Sequence, residues 1–215
     1  MQVGKLQMTR VGLVTAYTTV DTGSGAKAAV VSVRPGCSVV VITLATGISA
    51  SGTPTDNLGG AYAYVNGATN SGTARGIAMH FRTTAITATG TITITVPLGG
   101  SSTGGGLVVL VIEGLRQYLG YPYYNQSVFQ TDPANGQPYC NFALTLPTSL
   151  IIVVQLNGSG ASAVPAGFTS LVTSSFLTPT THYTVGYKMG GFWSTLATFG
   201  TSVLNWCSVG IEITA

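Results

Sequence analysis

Residues 91–96 read "TITITV", and their strict alternation is the clearest structural signal in the sequence. Ile92, Ile94 and Val96 fall on one face of an extended chain and the three threonines on the other, because successive side chains of a strand point to opposite faces. Threonine is also a good strand former on a solvated face. The stretch therefore predicts a strand with one buried face.

Similar patterns recur along the chain and are separated by turn sequences such as "DTGSGAK", "RPGC" and "NGSGASAVPAG". Gly supplies positive φ and Pro fixes φ in such turns, and no long stretch carries a helical stripe of apolar residues. Further strands are predicted near residues 10–20, 28–33, 37–45, 61–65, 76–83, 107–113, 149–156, 168–173, 182–189 and 204–213. This spacing predicts an all-β fold, a two-sheet antiparallel β-sandwich or a single closed sheet, of about ten strands.

The 215 residues are enough for one sizeable core and are predicted to form a single domain. Residues 1–9 are expected to form either an ordered strand or an N-terminal arm that reaches a neighbour. Three continuous apolar runs, "SVVVI" (38–42), "LVVLVI" (107–112) and "LIIVV" (150–154), predict central strands covered on both faces. We expect the second cover to be a long loop or a neighbouring subunit.

The composition is unusual in its lack of charge. Charged residues make up 6% of the chain, against about 25% in an ordinary domain. The eight basic residues are scattered, so no stripe for phosphates is evident and we predict no nucleic-acid partner. The N-terminus lacks the apolar run of a secretory signal, and no apolar stretch approaches the roughly 20 residues of a membrane helix. We therefore also predict no membrane partner.

No pattern of catalytic or metal-binding residues emerges, and the sequence predicts no enzyme, no cofactor and no metal. Asp21, Asp56 and Asp132 lie in turn sequences, where aspartate normally caps the turn. Glu113 and Glu212 lie at strand ends, where each could pair with an arginine such as Arg116 or Arg82. A calcium site at "TPTDN" or "QTDPANG" remains an alternative, although each stretch offers one carboxylate.

The two histidines and three cysteines are predicted to be structural. His80 and His182 each stand alone within a strand pattern, without a metal-ligand spacing. Cys37, Cys140 and Cys207 are an odd number without CxxC spacing, and we expect small buried core residues. A bridge between Cys37 and Cys207 is the alternative.

Residues 116–140 differ from the rest of the chain because tyrosine, asparagine and glutamine replace threonine and glycine. The segment is predicted to be a long tyrosine-rich loop, and loops beyond about 12–15 residues are usually functional. Tyrosine gives a large contact area at little entropic cost, and amides give adaptable hydrogen bonds. The loop is expected either to contact a partner or to cover its own sheet. The predicted binding residues are Tyr118, Tyr121, Tyr123, Tyr124, Asn125, Gln126, Phe129 and Gln130.

Several segments between residues 30 and 214 carry a further pattern. A turn of the form Asp-x-x-Gly-x-x-Tyr is followed by a strand ending in Gly-Leu, a Gly-Phe-Thr turn and a last strand with a tryptophan. These elements are Asp56, Gly59 and Tyr62, then Glu113-Gly114-Leu115, Gly167-Phe168-Thr169 and Trp206. The order resembles a β-sandwich module recurrent in bacteriophage structural proteins and bacterial surface proteins, although "IEGL" departs from the tyrosine-bearing form of its element. The resemblance implies a jelly-roll-like sandwich in a virion or surface-display context, and it implies no active site.

These observations predict a non-enzymatic bacteriophage virion structural protein, a head decoration or another outer capsid or tail component. Unpaired cysteines fit synthesis in the reducing host cytoplasm, and a weakly charged surface fits an assembled particle. The expected partners are further copies of the chain, with a trimer favoured, and other virion proteins such as the major capsid protein. The alternative is a lectin-like carbohydrate-binding module that stacks a glycan on Tyr121, Tyr123, Tyr124 and Trp193.

Overall fold

A computed structural model gives the architecture of the chain. It describes residues 14–21, 23, 25–46, 52–70, 74–99, 102–115, 117–118, 121–122, 124–143, 145–177, 180–190 and 195–214. Strands are the only regular elements in these ranges, and they pair antiparallel throughout. No helix in the described ranges is long and apolar enough to cross a membrane.

Two five-stranded sheets form the centre of the molecule. Sheet A has the strand order β1-β8-β3-β6-β5, and sheet B has the order β11-β17-β13-β15-β14. The strands of sheet A are β1 (Val14–Asp21), β3 (Ser38–Thr46), β5 (Tyr62–Asn70), β6 (Arg75–Arg82) and β8 (Gly104–Ile112). Those of sheet B are β11 (Tyr124–Gly136), β13 (Leu150–Asn157), β14 (Thr169–Leu177), β15 (Thr180–Met189) and β17 (Val203–Ile213).

Two smaller sheets lie outside the central pair. Outer sheet A′ has the order β2-β7-β4 and covers sheet A, and outer sheet B′ pairs β12 with β16 and covers sheet B. Their strands are β2 (Lys27–Val33), β7 (Gly90–Val96), β4 (Thr55–Asp56), β12 (Tyr139–Phe142) and β16 (Thr195–Thr198). A short hairpin of β9 (Gln117–Tyr118) and β10 (Tyr121–Pro122) completes the set.

The alternation of the central strands explains this layered arrangement. In β3, Val40 and Ile42 face sheet B, whereas Val39 and Val41 face outer sheet A′. Strand β8 divides in the same way, and Ile151 of β13 faces outer sheet B′. Each fully buried Val, Leu or Ile contributes about 1.5–3 kcal/mol relative to an exposed one. Continuous apolar runs are therefore favoured wherever a strand has a neighbour on both faces.

The expected antiparallel sandwich is confirmed, but two details of the prediction are wrong. The strand number is seventeen among the described residues rather than about ten. The second face of the apolar strands is covered by the chain's own outer sheets, not by a long loop or a neighbouring subunit. Burial of that face is consequently no argument for a trimer.

The predicted loop at residues 116–140 is also wrong. Residues 124–136 form β11, and the preceding residues include the β9–β10 hairpin. The strand escaped prediction because it lies at the edge of sheet B, where polar residues are tolerated on both faces and no apolar alternation develops.

The three cysteines are buried and free, as expected of core residues. Cys37 belongs to the core between sheets A and A′, Cys207 to the core between sheets A and B, and Cys140 to the core between sheets B and B′. Because Cys37 and Cys207 lie on opposite sides of sheet A, the alternative bridge between them is absent.

Candidate interaction surface

Strand β11 is the most conspicuous edge of the molecule. It pairs with β17 on one side, and no strand among the described residues pairs with its other side. Its register shifts between Tyr124 and Gln126 and again between Asp132 and Asn135. The second irregularity contains Pro133, which lacks an N–H and is confined to edges and bulges in sheets. Between the two shifts the strand runs in regular register.

Phe129 lies in the centre of this regular segment. It is directly opposite Val209, so both side chains share the face of sheet B that looks towards sheet A. Val209 is fully buried in the core between the sheets. Phe129 stands at the rim, where β11 approaches β5 of sheet A, and 55% of its surface remains exposed. An aromatic side chain is thus presented beside an unpaired strand edge.

Gln130 faces the other way, towards outer sheet B′. It is directly opposite Ser208, and its Oε1 accepts a hydrogen bond from the Tyr139 hydroxyl at 3.4 Å. The ring of Tyr139 packs edge-on against the buried ring of Trp206, with the centroids 5.6 Å apart. Val128, on the same face of β11 as Gln130, packs against the core between sheets B and B′, so this face of the strand lies towards outer sheet B′.

The regular segment runs from Gln126 to Asp132, and Asp132 at its end is its one charged residue. Residues 126–131 read "QSVFQT", and exposed edges are usually protected by lysine, proline, bulges or a covering loop. Here the proline and both bulges lie at the two ends, which leaves the middle open. An edge of this kind offers a row of backbone N–H and C=O groups to another strand.

The predicted binding residues divide between this edge and regions beyond it. Phe129 is exposed on β11, and Gln130 is held against outer sheet B′. Tyr123 and the alternative glycan residue Trp193 lie outside the described residues. Five others lie on β9, β10 or the start of β11, with side chains outside the described part of the structure: Tyr118, Tyr121, Tyr124, Asn125 and Gln126.

Asp56 organises a second polar centre, which we call the clasp. Its Oδ1 accepts hydrogen bonds from the backbone N–H groups of Leu58 (2.9 Å) and Gly60 (3.0 Å). Its Oδ2 accepts from Nε of Arg82 (2.8 Å) and from the hydroxyl of Tyr62 (2.9 Å). Because Asp56 belongs to β4 and its two side-chain partners to β5 and β6, the clasp joins outer sheet A′ to sheet A. The expected turn-capping role of Asp56 is confirmed.

The clasp also perturbs the ionisation of its members. Burial raises the pKa of Asp56, but the hydrogen bonds from Arg82, Gly60, Tyr62 and Leu58 outweigh burial and lower the pKa to about 2. Burial and the neighbouring carboxylate raise the pKa of Tyr62. The four hydrogen bonds occupy all the lone pairs of the Asp56 carboxylate, so no lone pair is left to bind a calcium ion.

Of the other carboxylates, Glu113 forms an ion pair with an arginine as expected, but the partner is Arg34 rather than Arg82; Arg116 lies outside the described residues. The pair lies beside a shallow cleft of about 300 Å³ that includes Tyr17. Glu212 is fully buried, and its Oε1 accepts from the backbone N–H of Leu146 at 2.6 Å. Within the described ranges, no group of three or more His, Cys, Asp or Glu side chains could hold a metal ion.

The glycines of the sequence pattern share a backbone conformation. Gly59, Gly114 and Gly167 have φ values of 69°, 76° and 78°, in the left-handed region that favours glycine. The three glycines of the pattern therefore mark three turns of the sandwich. No protein-family model matches the sequence, and no curated protein or solved structure matches it.

Proposed function

We propose that the protein is a non-enzymatic structural component of a bacteriophage virion, either a head decoration or another outer capsid or tail component. It acts through contacts between subunits, and its partners are further copies of the chain and other virion proteins such as the major capsid protein. The observation that carries this proposal is the unpaired edge of β11, with the exposed Phe129 at its centre and no charged residue between Gln126 and Thr131.

Edge pairing fits this role because main-chain hydrogen bonds give affinity and alternate side chains give specificity. In the proposed contact, a neighbouring strand adds to β11 and an apolar side chain of the neighbour covers Phe129. Charged residues make up only 6% of the chain, which weakens the repulsion that keeps crowded copies apart. A closed ring, with a trimer favoured, satisfies every edge of one kind.

The sequence resemblance supports the same setting. Its turn residues have structural duties: Asp56 and Tyr62 in the clasp, and Gly59 and Gly167 in left-handed turns. Residues with turn duties describe a sandwich scaffold rather than a reaction centre, which fits the structural role proposed here. The proposed location is the virion, after synthesis in the host cytoplasm.

The test is the molar mass of the purified protein by size-exclusion chromatography with light scattering. One chain has a mass of 21.9 kDa, and the proposal expects a closed oligomer. Phe129→Lys should dissociate it, because a charge at the centre of an edge opposes strand addition. Leu58→Lys is the matched control, since Leu58 is 63% exposed in the turn after β4 of outer sheet A′. If the oligomer is unchanged in Phe129→Lys, β11 is not part of the interface.

A carbohydrate-binding module is the second candidate, and the exposed aromatic ring of Phe129 favours it. Sugar rings stack on such aromatic rings. This candidate expects a monomer that binds a polysaccharide saturably and loses binding in Phe129→Ala. A monomer that binds no glycan would indicate that the chain assembles only on the particle. Mixing the protein with capsids that lack decoration tests this.

A further inference from the structure

Arg75 is a cation buried at one end of the core between sheets A and B. It begins β6, and the alternation of that strand puts it on the same face as Ile77 and Met79. Only 7% of its surface is exposed. Its neighbours across the sheet are Thr46 of β3 and Asn70 of β5, both of them buried and polar. The apolar core therefore ends in a polar layer that contains one positive charge.

The hydrogen bonds of this guanidinium are few and long. Nε donates to Oγ1 of Thr181 at 3.3 Å, and Nη2 donates to the carbonyl oxygen of Thr180 at 3.4 Å. N–H···O bonds are usually about 2.7–3.2 Å, and a guanidinium has five N–H donors. Within the described part of the chain, both donors of Nη1 and one of Nη2 thus make no hydrogen bond.

The charge of Arg75 is also unmatched among the described residues. Elsewhere in the chain, Arg34 pairs with Glu113 and Arg82 pairs with Asp56. Arg82 is buried to a similar degree, at 4% exposure, and it has a carboxylate partner. Burial lowers the pKa of Arg75, which reflects the cost of holding a charge away from water without a counter-charge.

The free end of the guanidinium lies near the surface. Gly158 follows β13 and is partly exposed, and a side-chain carbon there would lie 2.8 Å from Nη2 and 3.1 Å from Nη1. The guanidinium thus fills the space that a side chain at position 158 would need. Thr180, whose carbonyl oxygen accepts from Nη2, is exposed as well. This end of the guanidinium therefore lies beside two residues that reach the surface.

We propose that the Nη1–Nη2 end of Arg75 binds a carboxylate group. The two nitrogens form a planar fork, and a carboxylate accepts from such a fork through both oxygens. One negative charge also balances the one buried positive charge. The carboxylate comes either from a small organic acid or from an acidic group of a neighbouring protein chain. This proposal does not depend on the virion role.

The test uses acetate as the probe and the free energy of unfolding as the readout. The urea midpoint of the wild-type chain is measured in sodium acetate and in sodium chloride, at equal ionic strength and pH. A ligand that binds only the folded state raises stability with the logarithm of its concentration once the site is filled. We expect the midpoint to rise with acetate and to stay flat in Arg75→Met. Arg34→Met, at an exposed ion pair, is the matched control and should keep the acetate dependence.

Two measurements keep the test decisive if Arg75→Met does not fold. Arg75→Lys retains the charge but loses the fork, and it should weaken the acetate dependence. The NMR signal of carbon-13 acetate should broaden saturably with folded wild-type protein and sharpen again in urea. Equal midpoints in acetate and chloride for the wild type, without broadening, would overturn the proposal.

Light scattering in the same buffers distinguishes the two sources of the carboxylate. Acetate that stabilises the chain at constant molar mass indicates a site for a free organic acid. Acetate that lowers the molar mass indicates competition with an acidic group of a neighbouring chain. An oligomer that dissociates equally in chloride counts against the second source.

Discussion

Replacing Asp56 by asparagine tests how much the clasp stabilises the fold. The variant keeps the size of the side chain and one carbonyl oxygen, but it removes the negative charge and turns an amide towards Arg82 and Tyr62, which donate to Oδ2 in the wild type. The Arg82 side chain is 3% exposed and that of Asp56 is fully buried, so water cannot replace the lost partner. A buried guanidinium would then lack its counter-charge.

The magnitude follows from the pKa of the carboxyl group. A fall from 3.8 to about 2 corresponds to a preference of about 2.5 kcal/mol for the charged form in the folded state. Breaking a buried ion pair by removal of one partner costs about 3–5 kcal/mol. We therefore expect Asp56→Asn to lose about 3 kcal/mol of unfolding free energy at pH 7.

The pH dependence gives an independent reading of the same contact. Because the pKa of Asp56 is lowered on folding, its contribution is complete above pH 3.8 and is lost as the pH falls towards about 2. Asp56→Asn should lack this acid loss. Urea denaturation followed by tryptophan fluorescence measures both effects, with the slope m as a check on two-state behaviour.

Glu113→Gln is the matched control for the clasp. It removes the same kind of charge from the ion pair with Arg34, whose side chain is 62% exposed, and exposed pairs contribute about 0–1 kcal/mol. Equal losses in Asp56→Asn and Glu113→Gln, both below about 1 kcal/mol, would refute the reasoning that the clasp holds outer sheet A′ on sheet A.

Three further predictions concern buried groups. Burial lowers the pKa of His80 to about 4, so the unfolded chain binds a proton below pH 6.5 that the buried imidazole does not bind. About 2 kcal/mol of unfolding free energy should therefore be lost by pH 5. His80→Phe should flatten that part of a profile of urea midpoint against pH. Gly60→Ala would bring a carbon within 2.3 Å of the clasp carboxylate and should cost about 1–3 kcal/mol, whereas Gly25→Ala, with nothing within 4 Å, should leave the thermal midpoint nearly unchanged. Burial raises the pKa of both Cys140 and Cys207 to about 12, so a thiol reagent should modify them only at the rate of unfolding, and fast labelling in the folded state would contradict their place in the core.

The sequence predicted the strands that have a regular environment. All eleven predicted segments correspond to strands, including β7, where "TITITV" faces sheet A with its isoleucines. Such strands meet an apolar layer on one face or both, and this leaves a period of two or an unbroken apolar run. Fold class could therefore be derived from periodicity and turn residues alone.

The missed strands lie where the environment changes along their length. Strands β4, β9 and β10 have two residues each, too few for any period. Strand β11 has Val128 against outer sheet B′ and Phe129 exposed, so neighbouring residues meet unrelated surroundings. Its tyrosines and amides resembled a recognition loop because edge strands and loops are both solvated.

Arg75 shows a different limit of sequence reasoning. Nothing in "SGTARGIAMHF" (71–81) distinguishes it from an ordinary turn arginine. Its burial depends on β13 and β15, which bring Gly158 and Thr181 to its side chain from about 80 to 105 residues away. Contacts of that range are set by the packing of whole sheets, which local pattern does not reveal.

The strand order of sheet B also determines when the protein can fold during its synthesis. Strand β17 lies between β11 and β13, so the ribosome must pass residue 213 before either of them gains this neighbour. Until then the run "LIIVV" of β13 lacks one of its two neighbouring strands, and such surfaces attract chaperones or other nascent chains. Slowing translation through codons 158–203 should therefore lower the yield of folded protein more than the same delay placed before codon 150, where β13 has not yet been made.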